Sequence, residues 1–308
     1  MKITESLKKR FVKDYKIPIK IFADPYFYRR ICLLDFQYGC FELYSKFQNM
    51  LKSFSNEEEY FEYYTSVKES MMEYIKSTEG YKRFNEADMS QWKIPEKYNK
   101  LPSKDIYKDS CIGKKFISID MIKANFNSLK YFDPTIFINK DTWEDFIRKF
   151  TDKEYIINSK YIREVIFGNC NPKRQVTYEK YLMSQLLDKI YTDDLNVVFF
   201  SNDEIIIEID DNFNIDSFRT LVFNNQITPV RIEVFTLKAI MNKNQIVGYI
   251  KELDTSGKEF KKINPLYISA IIRKFILNEE IFLDDLVFEY EDNLCTMLEV
   301  PNFTIREV

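Results

Sequence analysis

Two acidic stretches and one basic stretch carry the residues of this 308-residue chain best suited to chemistry. Asp120 ends the alternating run FISID, Asp203 and Glu204 sit side by side in SNDE, and Lys160, Arg163, Lys173 and Arg174 lie between them in SKYIREVIFGNCNPKR. Gathered carboxylates are costly unless protons or divalent cations neutralise them, and oxygen-only acidic sites select Mg²⁺ or Mn²⁺. Two such ions about 3.5–4 Å apart activate a hydroxyl nucleophile and stabilise a leaving pyrophosphate. Cations nearby would hold the phosphoryl oxygens, and Lys160 and Arg163, three residues apart, suit one helix face.

The missing residue types narrow the alternatives. With no histidine, Ser-His-Asp and Cys-His pairs, imidazole bases and histidine zinc sites are excluded. The six glycines form neither a dinucleotide fingerprint nor a P-loop. Five cysteines without a C-x-x-C pair fit reduced thiols and argue against thiolate zinc. A cysteine nucleophile would lack the histidine that generates its thiolate. The net charge of −3 gives no overall basic footprint for nucleic acid. Neither a signal core nor a bilayer-length apolar run is evident, so a soluble, intracellular, cytoplasmic protein without membrane association is expected. The wealth of Lys, Ile, Asn, Tyr and Phe is what AT-rich codons encode, which points to an AT-rich microbe or its virus.

The elements around these residues follow from periodicity. Residues 1 to about 87 show apolar side chains three and four apart, with Ser55 or Asn56 as an N-cap. Their Tyr and Phe stripes suit a core better than a base-stacking platform. The stretch 89–113 loses periodicity and gains Pro95 and Pro102, marking a linker or an extended wrapping segment. A strand then ends at Asp120, and a helix carrying Phe126 and Leu129 follows. Helical segments continue to about 191, with a β-hairpin at 197–200 and 204–209, a helix capped at Asn214 or Asp216, and a strand near 230–237. With the inserted helices set aside, this is the βαββαβ order of a ferredoxin-like sheet. That order brings Asp120 beside Asp203 and Glu204.

FISIDMIKANF, a strand-end acid leading into a helix, and VVFFSNDEIIIEI, a hairpin with acids at its turn, resemble motifs A and C of palm-domain polymerases and nucleotidyltransferases. The second resembles the Ser-x-Asp-Glu form of the Y-family, and the first its Asp-Met opening. The similarity spans about residues 114–237. It implies catalytic, metal-binding roles for Asp120, Asp203 and Glu204, Mg²⁺ or Mn²⁺ as cofactor, and nucleoside triphosphate and nucleic acid as partners. Nucleotide contacts would fall to Lys160, Arg163, Lys173 and Arg174. The chain departs from the Y-family pattern at Ile122, where that family has a second acid, and at the sugar-gate position, which holds Asn125 with Phe126 next; these two are also candidate nucleotide contacts.

The expectation is an α+β protein: a mostly helical domain with linker over 1–112, then a palm-like α+β domain with an α/β extension over 113–308. Its function would be that of a metal-dependent nucleotidyltransferase or small template-dependent polymerase of viral type. The alternative is a non-catalytic ferredoxin-like subunit of a viral assembly that binds protein or nucleic acid, with protein partners on the N-terminal helices; a purely structural or regulatory role also stays open. Each motif has a plainer use as well. Asp203 suits a turn with positive φ, Asp120 an N-cap, and the basic run a solvated face.

Overall fold

The computed structural model describes residues 2–192 and 194–308. Apolar stripes fold the start of the chain into α1 (Glu5–Tyr15), α2 (Tyr26–Tyr38), α3 (Cys40–Leu51), α4 (Glu57–Ser77) and α5 (Glu79–Glu86). Thr4, Asn56 and Thr78 accept backbone N–H groups at the starts of α1, α4 and α5, satisfying donors that have no partner within the helix. The aromatic stripes interlock: Phe11 meets Tyr44 edge-on with ring centres 5.0 Å apart, and Phe47 packs on Tyr155 at 4.8 Å. These rings form core.

The proline-bearing stretch that follows wraps the molecule and is pinned along its length. Trp92 stacks on Phe84, and the short α6 (Glu96–Asn99) buries Tyr98, whose hydroxyl donates to Asp188 Oδ1 at 3.0 Å. Further on, Phe200 N donates to Pro102 O at 2.8 Å.

The sheet begins with β1 (Lys115–Met121), followed by α7 (Ala124–Phe132), α8 (Trp143–Ile147), α9 (Glu154–Ile157), α10 (Lys160–Gly168) and α11 (Pro172–Ile190). Then come β2 (Asn196–Phe200), β3 (Glu204–Ile209), α12 (Ile215–Asn225), β4 (Val230–Asn242), β5 (Gln245–Leu253) and β6 (Lys258–Lys261). The chain closes with α13 (Ile268–Ile272), the hairpin β7 (Val287–Tyr290) and β8 (Asn293–Thr296), and β9 (Phe303–Arg306). The strands lie in the order β2-β3-β1-β4-β5-β6, every pair antiparallel, with β9 against the far end of β4. The protein is therefore mixed α and β around an antiparallel sheet. β1 lies between β3 and β4, so both ends of the chemistry-bearing segment meet at one strand.

Alternation along β1 divides its side chains between two faces. Ile117, Ile119 and Met121 join one continuous buried cluster with the rings of α1–α4 and the stripes of α7 and α11. Phe116 faces the other way, into a smaller cluster with Phe235, Leu237 and Ile106. The C-terminal segments are tied back to α2, where buried Arg30 donates to the carbonyls of Asp284 and Val287. Among the described residues no helix is long and apolar enough to cross a membrane.

Candidate functional site

Asp120 sits near the end of β1, directly opposite Glu204 on β3 and Arg231 on β4. Opposed residues on antiparallel strands share a face, so the three form a row across the sheet. That row belongs to the face turned away from α7 and α11, because Ile119 and Met121 on either side of Asp120 point into the helical core. Arg231 Nη2 donates to Asp120 Oδ2 at 3.0 Å. Ser118, two residues back on the same face, donates to Glu204 Oε1 at 2.6 Å.

The hairpin tip between β2 and β3 is shaped by Ser201. Its Oγ accepts from the backbone N–H groups of Asp203 and Glu204, at 3.3 and 3.0 Å, so the serine hydroxyl organises the turn. Neither Asn202 nor Asp203 takes a positive φ, and the conformational reason for an acid at this turn does not apply. Met121 N donates to Asp203 O at 2.8 Å, locking the tip to the end of β1. Asp120 lies within the strand, and the position before α7 is occupied by Lys123 at φ 46°, so Asp120 is not the N-cap of that helix.

The end of β1, the hairpin tip and helices α10 and α11 enclose a cavity of about 420 Å³. Asp120 and Asp203 line it together with Asn125 from the start of α7 and Lys160 and Arg163 from α10. Five of the nine residues singled out by sequence are thus gathered in one place. Ser159 caps α10 by accepting from Ile162 N at 3.3 Å. The break between α10 and α11 is made by Asn171 at φ 54° followed by Pro172 at the first helical position.

Two expectations, for Phe126 and Arg174, are corrected, and two further residues, Lys173 and Glu204, lie outside the cavity lining. Phe126 is 1% exposed and packs on Phe137 and Trp143, so it is core and cannot touch a nucleotide. Arg174 turns to α5, where Nε donates to Phe84 O at 2.6 Å and Nη2 to Ala87 O, with the guanidinium over the Trp92 ring. The unpaired carbonyls at that helix end claim its charge. Lys173 is exposed on the first turn of α11 and lies outside the cavity lining. Glu204 does not line the cavity either; its carboxylate is engaged by Ser118 on the sheet face.

Charge is unevenly compensated around the cavity. Burial pushes the Asp120 carboxyl up to about 6, and Glu204 and Asp203 add to the rise against the opposing pull of Arg231. An ion pair and a raised carboxyl coexist because Arg231 is half exposed and divided between Asp120 and Glu233, so water weakens its field. On the facing wall, burial holds Arg163 and Lys160 below their usual values, with Lys16 and Arg163 also acting on Lys160. Among the described residues neither Lys160 nor Arg163 has an ion-pair partner within 4.0 Å, and Arg163 Nε is buried without an acceptor. Four acids, Asp120, Asp203, Glu164 and Glu179, thus line the cavity together with Lys160 and Arg163, and Glu164 acts on both of these cations from within the same wall.

Glu179 on α11 and Asn202 at the hairpin tip also line this cavity. Glu179 is 4% exposed and accepts from Asn202 Nδ2 at 2.6 Å, and burial, with a contribution from Asp203, lifts its carboxyl to about 7. The signal for it in the sequence was an acid inside the apolar stripe formed by Tyr178, Leu182, Met183 and Leu186. Arg231 gave no such signal, since its partner Asp120 is met only through strand pairing.

Among the described residues no group of three or more acids, cysteines or histidines is placed to hold a metal ion. Mg²⁺ is commonly bound through one or two carboxylates, its shell completed by water and substrate phosphates. Asp120 and Asp203 line one cavity, and each carboxylate has a hydrogen-bond partner there, Arg231 for Asp120 and Ser201 for Asp203. Comparison of the chain with models of protein families, with curated proteins and with solved structures gives no match in any of the three.

Proposed function

We propose that the protein is a metal-dependent nucleotidyltransferase, of the kind built on a palm-like βαββαβ sheet, that acts on nucleoside triphosphates and extends a nucleic acid strand. The observation that carries this reading is the cavity at the end of β1 that Asp120, Asp203, Lys160 and Arg163 line together. Asp120 and Asp203 would hold Mg²⁺ or Mn²⁺, which when bound lowers the barrier to attack by a hydroxyl and neutralises the departing pyrophosphate. Lys160 and Arg163, which line the cavity without ion-pair partners among the described residues, bind the triphosphate. The N-terminal helices support α10 from behind. In this reading the sheet row of Glu204 and Arg231 flanks Asp120 without touching the nucleotide.

A second reading, a non-catalytic ferredoxin-like subunit that binds protein or nucleic acid, is favoured by the pairing of Asp120 with Arg231, which gives the acid a partner without any ion. Incorporation of labelled nucleoside triphosphate into a primed template with Mg²⁺ or Mn²⁺ separates the two. Activity in the wild type, with a loss of at least about a hundredfold in Asp120→Asn and Asp203→Asn, supports transfer. Inactive wild-type protein that still binds the template would move the assignment to the second reading.

A further inference from the structure

Glu179 stands out because nothing nearby compensates its charge. It occupies a core-facing position on α11, is 4% exposed, and has no cation within ion-pair distance among the described residues. A buried carboxyl without a cation is less favourable than an apolar side chain of similar volume. Its one hydrogen bond runs to Asn202 Nδ2 at 2.6 Å, and Asn202 is the residue immediately before Asp203.

We propose that Glu179 is a positioning residue: through Asn202 it clamps the hairpin tip to α11 and so fixes the direction in which Asp203 faces the cavity. Within the tip, Ser201 Oγ accepts from Asp203 N and donates to Asp203 Oδ1 at 3.1 Å, and Met121 N ties Asp203 O to the end of β1. Those bonds hold the tip to itself and to the sheet. The bond from Glu179 to Asn202 adds a tie of the tip to α11, in the cavity wall. Partners that orient a ligating residue typically change metal affinity by about ten- to a hundredfold when removed. The consequence for cation affinity rests on the function proposed above, whereas the clamp itself does not.

The test uses full-length Glu179→Gln, Glu179→Leu and Asn202→Ala. Glutamine keeps an acceptor oxygen and drops the charge, leucine fills the volume without an acceptor, and alanine removes the donor. Amide hydrogen exchange at residues 202–204 should quicken by about tenfold or more in the leucine and alanine variants and remain as wild type in the glutamine variant. Mn²⁺ titrated in the presence of a non-hydrolysable nucleoside triphosphate should bind about tenfold more weakly to those same two variants. Unchanged exchange in both, or a glutamine variant that exchanges like the leucine one, overturns the clamp. Quickened exchange with unchanged Mn²⁺ affinity overturns its role in aiming Asp203. If the wild type binds no Mn²⁺ under these conditions the transferase reading fails, and the exchange result alone decides the clamp.

Discussion

Arg231 Nη2 lies 3.0 Å from Asp120 Oδ2, while its Nε reaches Glu233 Oε1 at 3.3 Å. Glu233 in turn meets Lys251 at 3.0 Å, so charges alternate across three strands and end on the acid at the cavity. A divalent ion at Asp120 must compete with this guanidinium. Arg231→Gln should therefore tighten Mn²⁺ binding by about two- to fivefold, the scale of an exposed ion pair, as read by calorimetry. Weaker binding would mean that Arg231 orients Asp120 for the ion instead of competing with it.

The two arginines of the basic stretch should fail in different ways. Arg163→Met removes a half-buried guanidinium whose Nε has no acceptor, so triphosphate affinity should drop by about tenfold to a hundredfold while the melting temperature holds or rises. Arg174→Met strips α5 of the donor to Phe84 O and Ala87 O and uncovers Trp92. It should cost about 2 kcal/mol in urea unfolding and leave triphosphate affinity within about twofold. Equal loss of affinity in both variants would contradict the placement of Arg174.

Stability should depend on pH through Asp14, a fully buried acid at the end of α1. Burial lifts its carboxyl to about 6 despite Arg10 and the hydroxyls of Tyr155, Tyr64 and Ser159. A folded-state value above the unfolded one means that the folded chain holds the proton more tightly. The associated stabilisation is complete below about pH 4 and is lost as pH rises through 6, on the order of 3 kcal/mol at most. Glu179 and Asp120 are raised too and act in the same direction. Urea midpoints of the wild type should fall between pH 4.5 and 7.5, and Asp14→Asn should flatten that slope.

Phe126→Ala should cost about 3–5 kcal/mol, the range for emptying a fully buried aromatic site. A loss below about 1 kcal/mol, with weakened triphosphate binding, would return Phe126 to the cavity.

The local parts of this molecule were legible in its sequence. Alternation marked β1, apolar runs on either side of SNDE marked the β2–β3 hairpin, and the candidate caps Ser55 or Asn56 and Asn214 or Asp216 marked helix starts, of which the structure uses Asn56 and Asn214, because these signals act within a few residues. The order of elements brought Asp120 beside Asp203, whereas it said nothing of where the inserted helix bearing Lys160 and Arg163 would lie. Other placements depended on partners far along the chain. Nothing beside Arg174 announces the carbonyl ends of α5, and an aromatic residue on an amphipathic helix reads alike whether it faces core or cleft, as Phe126 shows. The addition of β5, β6 and β9 to the same sheet as β1 likewise rests on long-range pairing that periodicity does not encode.

The Asp14 network reaches further than its own corner. Tyr64, Tyr155 and Ser159 all donate to this acid, and Ser159 is the cap of α10; two residues after Asp14, Lys16 pairs with Glu164 in the cavity wall at 2.6 Å. The aim of Lys160 and Arg163 is thus inherited from a helix that supplies no lining residue itself. Any version of the chain cut before the first strand would lose the abutment against which its phosphate-facing helix is braced, much as an arch loses its span when the pier behind it is removed.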